Sequence, residues 1–90
     1  MNDEDLVGTK KRIQRLVYIA AGGKIKEEEL GDHRIDLRNL GLDSLGYLNL
    51  LEGLERTFGV TIDLDHEEDH SFLHTIDTLA GFVRQRGRVA

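Results

Sequence analysis

One serine stands where a helix is expected to begin, and its hydroxyl is the group best placed to do chemistry in this chain. Ser44 lies in the run Leu42-Asp43-Ser44-Leu45, ahead of a long stretch with apolar residues at helical spacing. Serine and aspartate are preferred helix N-caps, so capping by Asp43 or Ser44 is the simplest alternative role. A serine hydroxyl is a weak nucleophile, and no histidine lies within one helical turn of Ser44. We therefore expect that the chain is not an enzyme and that any reaction at Ser44 needs a second protein.

Apolar residues at helical spacing predict three helices around this serine. The first is expected over residues 4–20, the second over residues 44–58, and the third from Thr75, whose hydroxyl can cap it. Gly22-Gly23 and Gly59 are expected to end the first two helices. The residues expected to share the core face are Leu6, Ile13, Leu16, Val17 and Ala20 in the first helix, and Ile76, Leu79, Ala80 and Val83 in the third.

The second helix carries the most apolar residues, and their spacing predicts which of its sides is buried. The predicted apolar side consists of Leu45, Leu48, Leu51, Leu54, Glu55 and Phe58, widened by Tyr47 and Leu50. The residues predicted to point away from it are Gly46, Asn49, Glu52, Gly53 and Arg56. Leu54 and Phe58 are expected in the core. Leu45 directly follows an exposed serine, so core packing and partner contact are equally good interpretations of it.

The segments between these helices predict the rest of the fold. Residues 22–42 form a loop of about twenty residues, and loops of that length are usually anchored or functional. Residues 60–64 alternate like a strand but have no second strand candidate to pair with, and residues 67–73 favour one or two short helical turns. The loop residues available to pin the long loop are Ile25, Leu30, Ile35, Leu37 and Leu40. The predicted fold is all-α: one domain over residues 1–90, a small antiparallel bundle of three main helices plus one short helix.

The composition limits which kinds of partner and which cellular compartment are expected. The formal charge of −5 argues against nucleic acid, which is bound mainly through Lys and Arg. Cysteine is absent and no apolar run is long enough to span a bilayer. We expect a cytoplasmic, monomeric protein that serves enzymes, because a chain of 90 residues is too small to enclose a large active site.

The run Leu40-Gly41-Leu42-Asp43-Ser44-Leu45, followed by leucines at helical spacing and by Phe58-Gly59-Val60-Thr61-Ile62, resembles the acyl carrier protein family over nearly the whole chain. The resemblance implies that Ser44 carries a 4′-phosphopantetheine arm, moved from coenzyme A by a phosphopantetheinyl transferase. It places Asp43 beside that transferase and its metal. It also implies a terminal thiol that holds the cargo as a thioester, and a first loop that wraps the bundle.

The same resemblance points to a partner surface and to a branch of the family. Leu45, Leu48, Glu52 and Arg56 are expected to meet the loading enzyme and a downstream synthase or transferase. Gly46, Asn49 and Arg56 stand at positions that are often acidic in fatty-acid carriers, which argues against a generic fatty-acid role. The chain looks closer to discrete acyl or aminoacyl carriers of specialised metabolism, such as polyketide or nonribosomal peptide biosynthesis. D-alanyl and peptidyl carriers, or an unmodified adaptor of the same fold, are the alternatives.

Three histidines suggest a different chemistry. His66, His70 and His74 are spaced so that one helix would place their imidazoles near one face, with acidic residues among them. A solvated loop or short helix explains the same pattern more simply. The sequence therefore predicts no metal site, with a small metal-binding protein as the competing hypothesis.

Overall fold

Three α-helices and two short 3₁₀ helices make up the part of the protein that the structure describes. The computed structural model describes residues 3–65 and 69–86, of which residues 3–5 are described as backbone only. The α-helices are α1, Asp3–Ala20, α2, Ser44–Phe58, and α3, Ile76–Arg86; the 3₁₀ helices are Glu27–Gly31 and Ser71–Leu73. No β-strand occurs within the described ranges, so the expected all-α class is confirmed and residues 60–64 are not a strand. None of the helices in these ranges is long and apolar enough to cross a membrane.

Helix α1 packs against both α2 and α3. Its core face is the predicted one: Ile13 and Val17 have no exposed surface, and Leu6, Leu16 and Ala20 are partly buried against the core. Polar contacts add to this packing. Lys10 Nζ lies 2.8 Å from the buried Oδ1 atom of Asp77 in α3, and the Arg12 guanidinium lies 5.1 Å from the centre of the Phe58 ring in α2.

Helix α2 begins and ends as its local sequence predicts. Asp43 is the N-cap, and Gly59 ends the helix in the left-handed conformation with φ 68°, which glycine adopts without a steric penalty. The Gly59 N–H donates to the carbonyl of Glu55 at 3.0 Å, and the Glu55 carboxylate accepts from the Ile62 N–H at 2.8 Å. The Tyr47 hydroxyl donates to the Leu73 carbonyl at 3.0 Å and so ties α2 to the second 3₁₀ helix.

The buried side of α2 differs from the predicted one. Gly46, Leu50, Leu51 and Leu54 are buried, whereas Leu45 and Leu48 are 66% and 59% exposed. The prediction that Leu48 lies on the core side of α2 and that Gly46 points away from it was wrong. Of the two interpretations left open for Leu45, its exposure excludes core packing. Leucines occur on both sides of α2, so the sequence offers two apolar stripes, and the stripe of Tyr47, Leu50, Leu51, Leu54 and Phe58 is the one that packs. Leu54 is fully buried as expected, and Phe58 is only partly buried.

The long first loop is anchored to the core, as expected. Ile25 and Leu30 have no exposed surface and Leu37 has 1%, while Leu40 packs partly buried against the core and Ile35 is half-buried. The loop also bonds to the residue that follows the second 3₁₀ helix, since the Leu37 N–H donates to the His74 carbonyl at 2.8 Å. The first 3₁₀ helix lies within this loop and was not predicted.

A tight turn in the same loop holds a charged pair. Arg38 donates to the Asp36 carboxylate through Nη2 at 2.6 Å, Nε at 3.0 Å and its backbone N–H at 2.9 Å. These hydrogen bonds, above all those from the guanidinium, lower the pKa of Asp36 to about 2. The carboxylate is therefore ionised at any ordinary pH.

Helix α3 follows the sequence prediction closely. Thr75 Oγ1 accepts from the Thr78 N–H at 3.0 Å, which confirms it as the cap. The predicted core residues Ile76, Leu79, Ala80 and Val83 are all buried. Phe82 is buried as well, and its ring stacks on Phe72 of the second 3₁₀ helix with 4.1 Å between ring centres.

Candidate functional site

Ser44 is the first residue of α2 and its side chain is exposed. Asp43 before it has φ −94° and ψ −176°, so the chain enters the helix extended and turns at Ser44. Among the described residues no side chain or backbone group is hydrogen-bonded to the Ser44 hydroxyl. The capping alternative for this serine is therefore excluded within that part of the chain, because Asp43 performs it. The hydroxyl faces solvent and is accessible to a second protein.

Asp43 uses its two carboxylate oxygens differently. Oδ1 accepts from the Gly46 N–H at 2.8 Å, which caps α2, and Oδ2 lies 3.0 Å from Nζ of Lys24 in the first loop. The Gly46 hydrogen bond, and after it the Lys24 ammonium, lower the pKa of Asp43. A fixed negative charge thus stands directly before the serine.

Leu42 and Gly46 fix the position of the helix start. Leu42 is 5% exposed and its side chain packs against the Cα of Gly46, where a Cβ atom would come within 2.5 Å of Leu42 Cδ1. A glycine in this first turn is therefore needed for close approach.

Beside Ser44, α2 presents an exposed surface of mixed character. Leu45, Leu48, Asn49, Glu52 and Arg56, here called the α2 outer face, are all exposed and lie within about a third of the helix circumference. Leu45 and Leu48 lie within the first turn or so, next to Ser44. Arg56 lies twelve residues along the helix, about 18 Å away at 1.5 Å per residue. The structure thus brings Leu45 and Leu48 to the serine and leaves Arg56 at the far end.

Of the three histidines, the structure describes His70 and His74, which flank the short 3₁₀ helix Ser71–Leu73. His70 Nε2 lies 3.0 Å from the Leu64 carbonyl oxygen, His74 follows the second 3₁₀ helix, and His66 lies outside the described residues. Within residues 3–65 and 69–86, no group of three or more His, Cys, Asp or Glu side chains could hold a metal ion. The arrangement that would support a metal-binding function is therefore not found among the described residues.

Comparison with protein families decides what kind of domain this is. The family model described as a phosphopantetheine attachment site matches residues 23–83, which is more than half of the chain. The chain belongs to this phosphopantetheine-binding family. Domains of the family carry covalently attached 4′-phosphopantetheine, generally act as carriers without catalysing reactions, and generally interact with phosphopantetheinyl transferases and synthase enzymes. The resemblance to acyl carrier proteins is thereby confirmed. Searches of curated proteins and of solved structures gave no match.

Two parts of the site were missed by the sequence analysis. Lys24 is nineteen residues from Asp43 and no local pattern connects them. The contact between Leu42 and Gly46 was missed as well, although a glycine in the first turn of an apolar helix is a signal for close packing.

Proposed function

We propose that this protein is a carrier whose Ser44 bears the 4′-phosphopantetheine arm and that it shuttles an acyl or aminoacyl group between biosynthetic enzymes. The observation that carries the proposal is the exposed Ser44 hydroxyl at the start of α2, inside the matched region. When attached, the arm supplies a thiol that holds the cargo as a thioester. Residues 1–90 then act as one carrier domain working in the cytoplasm, in specialised metabolism such as polyketide or nonribosomal peptide biosynthesis.

The residues around Ser44 fit this group chemically. The start of α2 directs backbone N–H groups and the positive end of the helix dipole toward the place where a phosphodiester on Ser44 would be. Exposure of the side chain leaves room for a substituent. Asp43 lies beside the serine, where the base and metal of a transferase would approach, and its ionised carboxylate suits contact with a cation.

The enzymes that load and use the cargo are proposed to dock on the α2 outer face. Any enzyme acting on a group attached to Ser44 must approach this end of α2, and Leu45 and Leu48 offer apolar contact there. The single acid and single base of the face, Glu52 and Arg56, leave it without a strong charge of one sign. Partner choice would then depend more on apolar contact than on long-range electrostatics.

Intact-mass analysis after incubation with coenzyme A and a promiscuous phosphopantetheinyl transferase tests the proposal. Wild type and Ser71→Ala should each gain the mass of one phosphopantetheine, and Ser44→Ala should gain none. Ser71 is the matched control because it is the other serine of the chain and is also exposed. Modification of Ser44→Ala would place the arm elsewhere. A wild type that gains no mass would instead favour the unmodified adaptor.

The nature of the cargo divides the remaining alternatives. A D-alanyl or other aminoacyl carrier would be loaded by an amino-acid-activating enzyme, and a peptidyl carrier by a peptide synthetase module. Loading assays on the holo protein with acyl, aminoacyl and peptidyl donors distinguish them by the added mass. The acyl and aminoacyl classes are proposed first because this chain has Leu40-Gly41-Leu42-Asp43-Ser44, whereas peptidyl carriers more often have Leu-Gly-Gly-x-Ser, with glycine where Leu42 stands.

A further inference from the structure

An ammonium group reaches the candidate attachment site from outside α2. Lys24 Nζ lies 3.0 Å from Asp43 Oδ2, and the two side chains are 66% and 53% exposed. The loop that carries Lys24 is held in place by the next residue, Ile25, which has no exposed surface. Lys24 is therefore brought to Asp43 by a buried anchor, and its side chain keeps freedom to move in solvent.

Attachment of a phosphodiester to Ser44 would add negative charge beside Asp43 and Lys24. Asp43 and Ser44 are consecutive, so their Cα atoms are about 3.8 Å apart. The Asp43 carboxylate is already ionised and caps the helix through Gly46. A second anion on the adjacent residue repels that carboxylate, and the repulsion acts on the hydrogen bond that starts α2. A nearby cation relieves this repulsion.

We propose that Lys24 is a positioning residue of the attachment site, whose ammonium offsets the charges of both the Asp43 carboxylate and the phosphodiester on Ser44. The proposal rests on Ser44 being the attachment residue. A lysine ammonium has three donors on a flexible four-carbon stem, so a bond to Asp43 leaves donors for a second anion. Lys24 then stabilises the holo protein more than the apo protein.

A simple loop tether is the competing explanation for the same ion pair. An exposed pair that only links the first loop to Asp43 contributes little to stability, and it contributes equally whether or not Ser44 is modified. A charge-offsetting role instead appears when the phosphodiester is present. Comparison of apo and holo forms therefore separates the two explanations.

The experiment uses apo and holo forms of wild type, Lys24→Gln, Lys24→Arg and Lys26→Gln. Lys26 is the matched control because it is an exposed lysine two residues away and its backbone contacts survive the change. Thermal melting is followed in low salt and in about 1 M salt, where the Debye length falls to about 3 Å. The ³¹P chemical shift of the holo phosphodiester reports on the surroundings of the arm itself.

For Lys24→Gln we expect a loss in melting temperature that is about 2–4 °C larger in the holo form than in the apo form at low salt. This extra loss should disappear at high salt, and the ³¹P signal should shift relative to holo wild type. Lys24→Arg should retain wild-type behaviour in both measurements, as should Lys26→Gln. Equal losses in apo and holo Lys24→Gln, with an unchanged ³¹P signal, would overturn the role of Lys24 and leave the carrier function standing. A wild type that takes up no phosphopantetheine would overturn both.

Discussion

Two leucines on α2 that differ in burial provide the sharpest test of how this helix is oriented. Leu54 has no exposed surface, whereas Leu48, six residues earlier on the same helix, is 59% exposed. Truncation of a fully buried leucine to alanine removes its packing and leaves a cavity, at a cost of about 2–5 kcal/mol. A domain of this length has a total stability of about 5–13 kcal/mol at the usual value per residue, so Leu54→Ala removes a large part of it.

Leu48→Ala should behave differently although the same atoms are removed. The change exposes no core and creates no cavity, so its effect on the free energy of unfolding should stay within about 0.5 kcal/mol. Circular dichroism melts should show a fall of at least about 10 °C for Leu54→Ala and less than about 4 °C for Leu48→Ala. Urea titrations of the same variants give the free energies directly. A larger loss for Leu48→Ala than for Leu54→Ala would mean that α2 buries its other apolar stripe and would refute the outer face defined above.

Three further predictions concern packing, pH and partner binding. Gly46→Ala should destabilise the protein by about 1 kcal/mol in urea titrations, because the clash of the added methyl group with Leu42 exceeds the gain in helix propensity. In Gly53→Ala the added methyl group meets only the partly buried Leu16, at 3.2 Å, so this variant should be neutral or stabilising in the same titrations. Asp36→Asn should lose less stability than wild type between about pH 4 and pH 2. The Asp36 carboxyl has a folded pKa of about 2 and an unfolded pKa of about 3.9, so its contribution to stability is present above the unfolded pKa and is lost as the pH falls through the folded one. Identical pH profiles of the two proteins would contradict this. In the holo protein, Leu45→Ala should lower the kcat/KM of cargo loading about five- to thirtyfold and Glu28→Lys should leave it nearly unchanged, whereas the reverse result would place docking on the first loop.

Features of α2 that depend on neighbouring residues were predictable, and those that depend on distant residues were not. The Asp43 cap and the left-handed Gly59 are local signals, so both ends of the helix were correctly predicted. The rotation of the helix about its axis was not, because it is set by the packing of Leu42 and α1 against one of two available leucine stripes. The helical spacing of apolar residues shows how many apolar stripes the helix has, but not which stripe packs against the rest of the domain.

In the candidate site, too, features set by neighbouring residues were predictable and those set by distant residues were not. Ser44 and its aspartate neighbour were recognisable from a six-residue motif, and the comparison with known families agrees with the class of domain that this motif indicated. Lys24 was not recognisable, because its contact with Asp43 closes a loop of nineteen residues whose path is determined by buried anchors. The first 3₁₀ helix within that loop was missed because the Glu27-Glu28-Glu29 run carries little periodic apolar signal.

The separation of buried and exposed leucines on α2 has a consequence for the evolution and redesign of such a domain. The buried residues of α2 and the exposed residues proposed to meet partners form two sets with no shared members. Substitutions can therefore accumulate in one set while the other stays fixed, and a carrier can change its enzymes without first acquiring a more stable fold. If enzymes dock on the outer face as proposed, an engineer could transplant the five outer-face residues of another carrier onto this helix and retain the melting temperature, so that pathway specificity becomes exchangeable as a unit.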